Sequence, residues 1–446
     1  MRGLRSNLIL LAVLLGLGAY VYFVASKEDT STTTEKLFTS VEADSITELV
    51  VRSESGDVTT LHKEDGAWQI VAPVAARASE SEASAIATGL ASLNVAGVVD
   101  EAPTDLAQYG LAEPRIQVEF KSADGKTSGT VFIGSKNANG ANVYARKDGE
   151  TRVVMVPQYN ELTFNQTTFG LRDKSVVSFD QAKVDGLDVT AGGTSFELAK
   201  KGGNWAITKP YTARADNSLA DGLAGGVASL QMNAVAGTVE TDADRKKFGL
   251  DRPSAVVNLH IGDDRATVIV GADAEDDTVY VRNPSRPDVV TVQKVAADDL
   301  RKPLQDYRRK DMFDMRAYNV TRIEVTRKGQ TLVFEKVKGS GDNAADTWKR
   351  TSPTAAEPDK DKFETFVATL ADIRASAFVD ASARTGLDAP DMTVSTRFED
   401  SGRQERVLFA KRGSEAFASR PDDPGAARIE AEKLDEVLAS VDEFAK

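Results

Sequence analysis

The feature that most constrains this chain is an internal repeat marked by its tryptophans. The 446-residue sequence contains three tryptophans, spaced 137 and 143 residues apart: Trp68, Trp205 and Trp348. A proline follows each tryptophan by five residues: Pro73, Pro210 and Pro353. Self-similarity at a fixed period is the signature of repeated structural units. The sequence therefore predicts one folding pattern written three times.

Two further signatures recur with the same period. A glycine–leucine pair with a proline three residues after the leucine follows each tryptophan by about 40 residues: Gly110, Leu111 and Pro114; Gly249, Leu250 and Pro253; Gly386, Leu387 and Pro390. A tyrosine and an arginine come next in the first two copies, and the third copy keeps the arginine: Tyr144 and Arg146; Tyr280 and Arg282; Arg420. We therefore predict modules over residues 45–180, 181–316 and 317–446, the last of them divergent.

Each module has the pattern of a strand meander, a helix, a second meander and a closing helix. Alternating apolar residues with glycine turns predict the strands, and each proline should end a strand because it cannot donate to the ladder. The capping residues Ser79, Asp216 and Asp359 precede the predicted helices. Gly110 should adopt the left-handed conformation after a short helix. This order predicts an α+β fold with an antiparallel sheet in each module.

An uncharged stretch of 21 residues, from position 6 to position 26, precedes the modules. Its length suits a membrane-spanning helix, and Arg2 and Arg5 before it favour a cytoplasmic N-terminus. We predict a cytoplasmic tip and transmembrane anchor at residues 1–26 and a flexible tether at residues 27–44. The protein would then be a single-pass inner-membrane protein with most of the chain in the periplasm. A cleaved signal peptide is the alternative, although its apolar region is usually shorter.

Composition excludes several kinds of chemistry. The chain has no cysteine, which excludes thiolate catalysis, thiolate metal sites and disulfides. Its net charge of −13 argues against nucleic acid as a partner. The two histidines, His62 and His260, lie in predicted strands of different modules, and we favour polar strand faces over a general base. The acidic residues 273–277 lack the spacing of an EF-hand, so we favour a solvated loop over a calcium site.

The recurring residues allow a functional and a structural interpretation. The tryptophans could stack on a ligand, but recurrence in every module favours a core position. The arginines Arg146, Arg282 and Arg420 could bind anions, but a structural ion pair is favoured for the same reason. We predict no catalytic residue, no cofactor and no metal ligand.

The combined signature resembles a bacterial family known as domain of unknown function 4340, in three copies over about residues 45–446. The third copy is divergent, since Thr385 stands where the other copies have an aromatic residue before the glycine, here Gly386. Members of that family look like single-span envelope proteins. Their genes often neighbour those of an ABC-type exporter with a gliding-motility-like auxiliary subunit. The resemblance implies an accessory role and supplies no catalytic residues.

Three functional hypotheses follow. The first is a non-catalytic ectodomain that binds a membrane-protein complex or an envelope polymer. The second is an envelope hydrolase that acts on glycans with two carboxylates, which would need to lie about 5–9.5 Å apart. The third is a structural spacer. The sequence leaves the oligomeric state open.

Overall fold

The computed structural model describes residues 35–339, 346–380, 383–399 and 402–446. The chain divides into two compact units, of which the first ends at Lys174 and the second is Ser175–Lys446. The described residues form one sheet in the first unit and two in the second, together with eight α-helices. All strand pairings within these sheets are antiparallel. The α+β class and the antiparallel sheets that the sequence predicts are therefore confirmed.

The first unit contains a nine-stranded sheet with the order β4-β3-β2-β1-β6-β7-β8-β9-β5. The strands are β1 Ile46–Arg52, β2 Val58–Glu64, β3 Ala67–Ala72, β4 Ala76–Arg77, β5 Gly97–Asp100, β6 Ile116–Ser122, β7 Ser128–Lys136, β8 Asn142–Lys147 and β9 Val153–Pro157. The helices are α1 Glu80–Ala91 and α2 Tyr159–Phe164.

The first sheet of the second unit repeats that topology, with the order β13-β12-β11-β10-β15-β16-β17-β18-β14. The strands are β10 Val184–Ala191, β11 Thr194–Lys201, β12 Asn204–Lys209, β13 Ala213–Arg214, β14 Ala234–Thr238, β15 Ala255–Ile261, β16 Asp264–Asp273, β17 Thr278–Arg282 and β18 Asp288–Gln293. The helices are α3 Asn217–Ala228, α4 Asp242–Lys247, α5 Lys294–Leu300 and α6 Leu304–Tyr307.

The last sheet has eight strands in the order β21-β20-β19-β23-β24-β25-β26-β22. The strands are β19 Val320–Arg327, β20 Gln330–Val337, β21 Thr347–Ser352, β22 Ala375–Val379, β23 Met392–Phe398, β24 Gln404–Arg412, β25 Glu415–Ser419 and β26 Ala426–Ile429. The helices are α7 Lys360–Ala371 and α8 Ala431–Phe444. The two-residue strand that ends each of the other sheets has no counterpart in this order. We call the three repeats the first, second and third modules.

Local sequence explains where the long helices begin. Ser79, Asp216 and Asp359 each accept a hydrogen bond from the backbone N–H three residues later, as the capping prediction requires. In the first module, Ile86 and Leu90 of α1 share one core cluster with Leu49 and Leu61 of the sheet. Complete burial of each such side chain contributes about 1.5–3 kcal/mol. The core of each module therefore lies between one face of the sheet and its helices.

The glycine–leucine–proline element shapes the loop that follows β5. Residues 107–109 form a short 3-10 helix, and Gly110 follows it with a φ of +66°, the left-handed conformation that the sequence predicts. Leu111 then folds back and is buried. Gly249 and Gly386 take the same conformation in the other modules. Each copy therefore uses this glycine to reverse the chain.

The predicted anchor at residues 1–26 lies outside the described residues, as do residues 27–34 of the predicted tether. Within the described ranges, no helix has both the length and the apolar character needed to cross a membrane. Residues 35–44, which the sequence assigns to the tether, are packed. The N–H of Leu37 donates to the carbonyl of Leu93 over 2.7 Å, and the Leu37 and Phe38 side chains are buried in the core. The apolar side chains of this segment fix it to the module.

Candidate partner-binding groove

The signature tryptophans have different environments in the three modules. Trp68 is 1% exposed and Trp205 is 3% exposed, so both are core residues, in agreement with the structural interpretation. The indole N–H of Trp205 donates to Asp221 over 2.8 Å. Trp348 is only partly buried and packs against Phe363, with ring centroids 5.2 Å apart. The third module therefore exposes an aromatic surface that the other two bury.

In the first module, the segment that leaves the closing helix seals the edge of the sheet. The N–H of Ser79 donates to the carbonyl of Leu171 over 2.8 Å, and the N–H of Asp173 donates to the carbonyl of Arg77 over 2.9 Å. These two bonds form an antiparallel bridge between Ala78 and Arg172. The outgoing chain thus pairs with the backbone next to β4.

The second module seals its edge in the same way. The N–H of Asp216 donates to the carbonyl of Tyr307 over 2.8 Å, and the N–H of Arg309 donates to the carbonyl of Arg214 over 3.0 Å. Ala215 and Arg308 form the corresponding bridge. In both modules the residue paired with the edge is therefore an arginine that follows a large apolar residue, Leu171 in a turn and Tyr307 at the end of α6.

The third module does not repeat this closure because its last segment stays helical. Helix α8 has 14 residues, whereas α2 has 6 and α5 has 7. Phe444 lies 13 residues after the start of α8, as Tyr307 does after the start of α5. The N–H of Ala445 donates to Val441, and that of Lys446 donates to Glu443. These two N–H groups are committed to the helix, and the carbonyl of Phe444 accepts from the guanidinium of Arg350 in β21, not from a backbone N–H of the edge.

The unsealed edge is bordered by two cavities that share Glu357 and Pro358. The first, about 170 Å³, is lined by Asp346, Thr347, Trp348, Glu357, Pro358, Lys360, Phe363 and Glu364. The second, about 220 Å³, is lined by Phe334, Arg350, Ala356, Glu357, Pro358, Asp359, Lys362, Glu443, Phe444 and Lys446. We call the two together the edge groove.

The edge groove has an aromatic floor and charged walls. Phe363 packs against Phe334 and Phe444, with ring centroids 4.6 and 5.6 Å apart. Lys362 bridges to Glu443 over 2.5 Å, and this hydrogen bond raises the pKa of Lys362. On the Trp348 side, three carboxylates and one amino group line the cavity: Asp346, Glu357, Glu364 and Lys360. Two of these carboxylates are paired with lysine, Glu357 with Lys349 over 3.3 Å and Glu364 with Lys360 over 3.9 Å.

The recurring arginines do not share one role. Arg420 is buried and pairs with Glu405 over 2.9 Å and with Asp422 over 2.8 Å. Burial alone would lower the pKa of Arg420, but the hydrogen bonds to Asp422 and Glu405 outweigh it and raise the pKa. Arg146 lies over the ring of Phe132, 4.8 Å from its centroid. The Nε of Arg282 is buried with no hydrogen-bond partner among the described residues. The predicted ion pair is thus present at Arg420.

The signature tyrosines pack on the aromatic residue before the left-handed glycine. Tyr144 contacts Tyr109 and Tyr280 contacts Phe248, with centroid distances of 5.2 and 5.0 Å. In the third module, both members of this aromatic pair are absent from the sequence, where Thr385 and Ala418 stand. Loss of the two together identifies them as one packing unit.

The signature prolines end strands, as the sequence predicts. β3, β12 and β21 end directly before Pro73, Pro210 and Pro353. The peptide bond before each of these prolines is cis. The other signature residues, Leu250, Leu387, Pro114, Pro253 and Pro390, follow the left-handed glycines in the loops before β6, β15 and β23.

The two histidines form cross-strand pairs. His62 lies 3.3 Å from Glu48, and His260 lies 2.8 Å from Asp188. Both histidine side chains are partly exposed on strands, the position that the sequence predicts. At the end of β16, where the acidic segment begins, Asp273 binds Lys294 over 2.5 Å and Arg301 over 3.2 Å. Among the described residues, no group of three or more histidine, aspartate or glutamate side chains is arranged to hold a metal ion.

Two buried glutamates, Glu405 and Glu161, are not singled out by any pattern in the sequence. Glu405 accepts bonds from the backbone N–H groups of Asp314 and Met315 as well as from Arg420. Glu161 accepts a hydrogen bond from Arg115 over 2.7 Å. Burial would raise the pKa of Glu161, but hydrogen bonds from Arg115, Gln158 and Lys136 outweigh it and lower the pKa. Both carboxylates are held by arginine. The lowered pKa of Glu161 is the opposite of the raised pKa that a glycosidase acid needs.

The sequence also gives no direct indication of the edge groove. A comparison of the copies contains the signal: an apolar residue followed by arginine occurs at positions 171–172 and 307–308, and Phe444 is followed by alanine instead. Pro358 stands where the first two copies have Ala78 and Ala215. These differences coincide with the helical ending of the third module.

Comparison with known proteins agrees with the repeat. The family described as "Domain of unknown function (DUF4340)" matches residues 68–206 and again residues 205–390, so the chain belongs to this family. No curated protein sequence matches the chain. Among solved structures, the DNA polymerase sliding clamp from Pseudomonas aeruginosa is similar over 88% of this chain and 92% of that chain, with 9% identity and a TM-score of 0.16. A likeness at that score supports no conclusion about function.

Proposed function

We propose that this protein is a non-catalytic, membrane-anchored envelope protein that acts as an interaction or accessory subunit of an ABC-type export or gliding-motility-like membrane complex. The observation that carries the proposal is the assignment of the recurring residues to structure. The tryptophans of two modules fill cores, the left-handed glycines reverse the chain, and the tyrosines pack on aromatic neighbours. Because the recurring residues serve the fold, a partner would be recognised by the surfaces in which the modules differ.

The repeated architecture supports binding rather than turnover. Tandem copies of one module extend the surface available to a large partner. The acidic net charge makes nucleic acid and anionic lipid poor partners, which favours a protein or a neutral polymer. The uncharged stretch at residues 6–26 supports anchoring in the inner membrane, with the modules in the periplasm. The ABC-type complex is the partner that the family resemblance implies.

The test is affinity capture of the tagged full-length chain from membranes after chemical crosslinking, with identification of the captured proteins by mass spectrometry. Residues 1–34 alone, with the same tag, serve as the control bait for contacts made by the N-terminal segment. We expect subunits of an ABC-type membrane complex to be enriched with the full chain and not with the control. Recovery of no membrane protein above the control would overturn the proposed role.

Protease treatment of spheroplasts tests the location, since the modules should be digested without lysis of the inner membrane.

A further inference from the structure

We propose that the edge groove of the third module binds an extended segment of a partner protein, in which a large apolar residue is followed by arginine. The segment would pair by its backbone with residues 357–359, as an added antiparallel strand. This inference rests on the proposed partner-binding function and names the site and the class of ligand.

The first support comes from the chain's own edges. In the first two modules this place holds the segments Leu171–Arg172 and Tyr307–Arg308, each through two backbone hydrogen bonds of 2.8–3.0 Å. In each case the receiving backbone begins two residues before the helix cap and ends at the cap itself. The chain therefore shows twice what kind of segment the site accepts.

The second support is the set of backbone groups left open in the third module. The N–H of Asp359 and the carbonyl of Glu357 correspond to the groups that receive the closing segment elsewhere. Neither makes a backbone hydrogen bond within the described part of the chain. Both residues are exposed. An unpaired edge of this kind is a template for another strand.

The third support is the chemistry of the walls. A residue opposite Pro358 would project toward the cavity beside Trp348, because directly opposed residues in an antiparallel pair share one face. Three carboxylates and one amino group surround that cavity. In the second module the residue opposite Ala215 is Arg308, whose guanidinium carbon lies 3.7 Å from the ring centroid of Phe378. The Trp348 ring offers an aromatic surface of the same kind, and the amino group of Lys336 already lies 5.5 Å from its centroid. An incoming arginine would replace that lysine over the ring.

The test uses the full chain and a fluorescein-labelled peptide with the sequence of residues 303–310, which contains Tyr307 and Arg308. Binding is measured by fluorescence polarisation. Hydrogen exchange of the amides of residues 356–359 then locates the site. We expect saturable binding below about 1 mM, a range typical of short peptides, with slower exchange at Asp359. Absence of binding up to that concentration, or protection confined to other residues, would overturn the proposal.

Matched changes separate backbone pairing from general attraction. Methylation of the peptide nitrogen at Arg309 removes the donor to Glu357 and should weaken binding about three- to tenfold. The Glu364→Lys variant reverses a charge of the groove and should also weaken binding, whereas Glu432→Lys, an exposed change at the start of α8, should not. Equal affinity for methylated and unmethylated peptides would contradict strand pairing, and equal weakening by Glu432→Lys would reduce the effect to net charge.

Membrane capture with the Glu364→Lys chain distinguishes this inference from the proposed function. Loss of the partner captured by the wild-type chain supports both. Equal capture by the two chains retains the proposed function and refutes the edge groove as its site. Capture of nothing by the wild-type chain refutes the proposed function, while the peptide measurement still decides whether the groove accepts an extended segment.

Discussion

The second and third modules lie in one compact unit and share the order of their main strands, yet they end differently. The second module leaves its closing helix after Leu300, and its outgoing chain pairs with the sheet edge. The third module continues its helix to Phe444, and its edge stays unpaired within the described residues. The comparison teaches that the repeat specifies the sheet and its core, whereas the few residues after the closing helix decide whether the edge is available.

The modules also differ in how an equivalent arginine before the first helix is used. Arg214 in the second module bonds to Asp423 of the third over 2.9 Å, and to Asp314, shortly before the third module begins, over 3.2 Å. Arg77 in the first module is 58% exposed and lies 3.6 Å from Asp173. A partly buried arginine therefore joins the second and third modules, whereas the equivalent residue of the first module lies at the surface.

The largest change in the free energy of unfolding is expected for substitution of Arg420. Arg420→Met removes the cation that faces Glu405 and leaves a buried carboxylate without its partner, which should destabilise the second unit by about 3–5 kcal/mol. Arg146→Met is the matched control and should cost about 1 kcal/mol or less, because Arg146 has no carboxylate partner among the described residues. Urea unfolding followed by tryptophan fluorescence measures both. Similar losses of stability in the two variants would show that Arg420 and Arg146 contribute equally to folding.

The next largest effect is expected at the contact between the second and third modules. Arg214→Ala should lower the free energy of unfolding of the second unit by about 2–3 kcal/mol, because several charge-assisted hydrogen bonds are lost together. Arg77→Ala should change the stability of the first unit by about 0.5 kcal/mol or less, as for an exposed ion pair. Thermal unfolding followed by circular dichroism measures both. A large loss from Arg77→Ala would show that both arginines carry equal weight.

A third prediction concerns acid sensitivity of the first unit. The pKa of Glu161 is lowered in the folded state, so its contribution to stability is complete above the unfolded pKa of about 4.3 and is lost as pH falls through the lower folded pKa. The wild-type first unit should therefore lose about 1–2 kcal/mol more between pH 5 and pH 3 than the Glu161→Gln variant. Glu113→Gln, at an exposed residue, is the control and should follow the wild type. Parallel curves for wild type and Glu161→Gln would exclude a stabilising role for this carboxylate.

Local features of the fold were predictable and the edge chemistry was not. The helix starts follow from the side chains of Ser79, Asp216 and Asp359, and the chain reversal follows from Gly110, because each depends on a few neighbouring residues. Strands β4 and β13 have two residues each, too few to show an alternating pattern. The bond between Arg214 and Asp423 joins residues 209 positions apart. No periodicity encodes such a contact, so the sealed and open edges become evident only in three dimensions.

The last prediction compares the buried tryptophan of the second module with the partly exposed tryptophan of the third. Trp205→Phe removes a buried indole that bonds to Asp221, and it should cost about 1–3 kcal/mol. Trp348→Phe keeps an aromatic ring in a partly exposed position with no indole hydrogen bond among the described residues, so it should cost about 0.5 kcal/mol. In the wild-type chain, acrylamide should quench one of the three tryptophans preferentially, and Trp348→Phe should abolish that component. If the quenched component instead disappears with Trp205→Phe, the groove beside Trp348 is closed in solution. The second and third modules would then not differ in the exposure of their tryptophans as the structure shows.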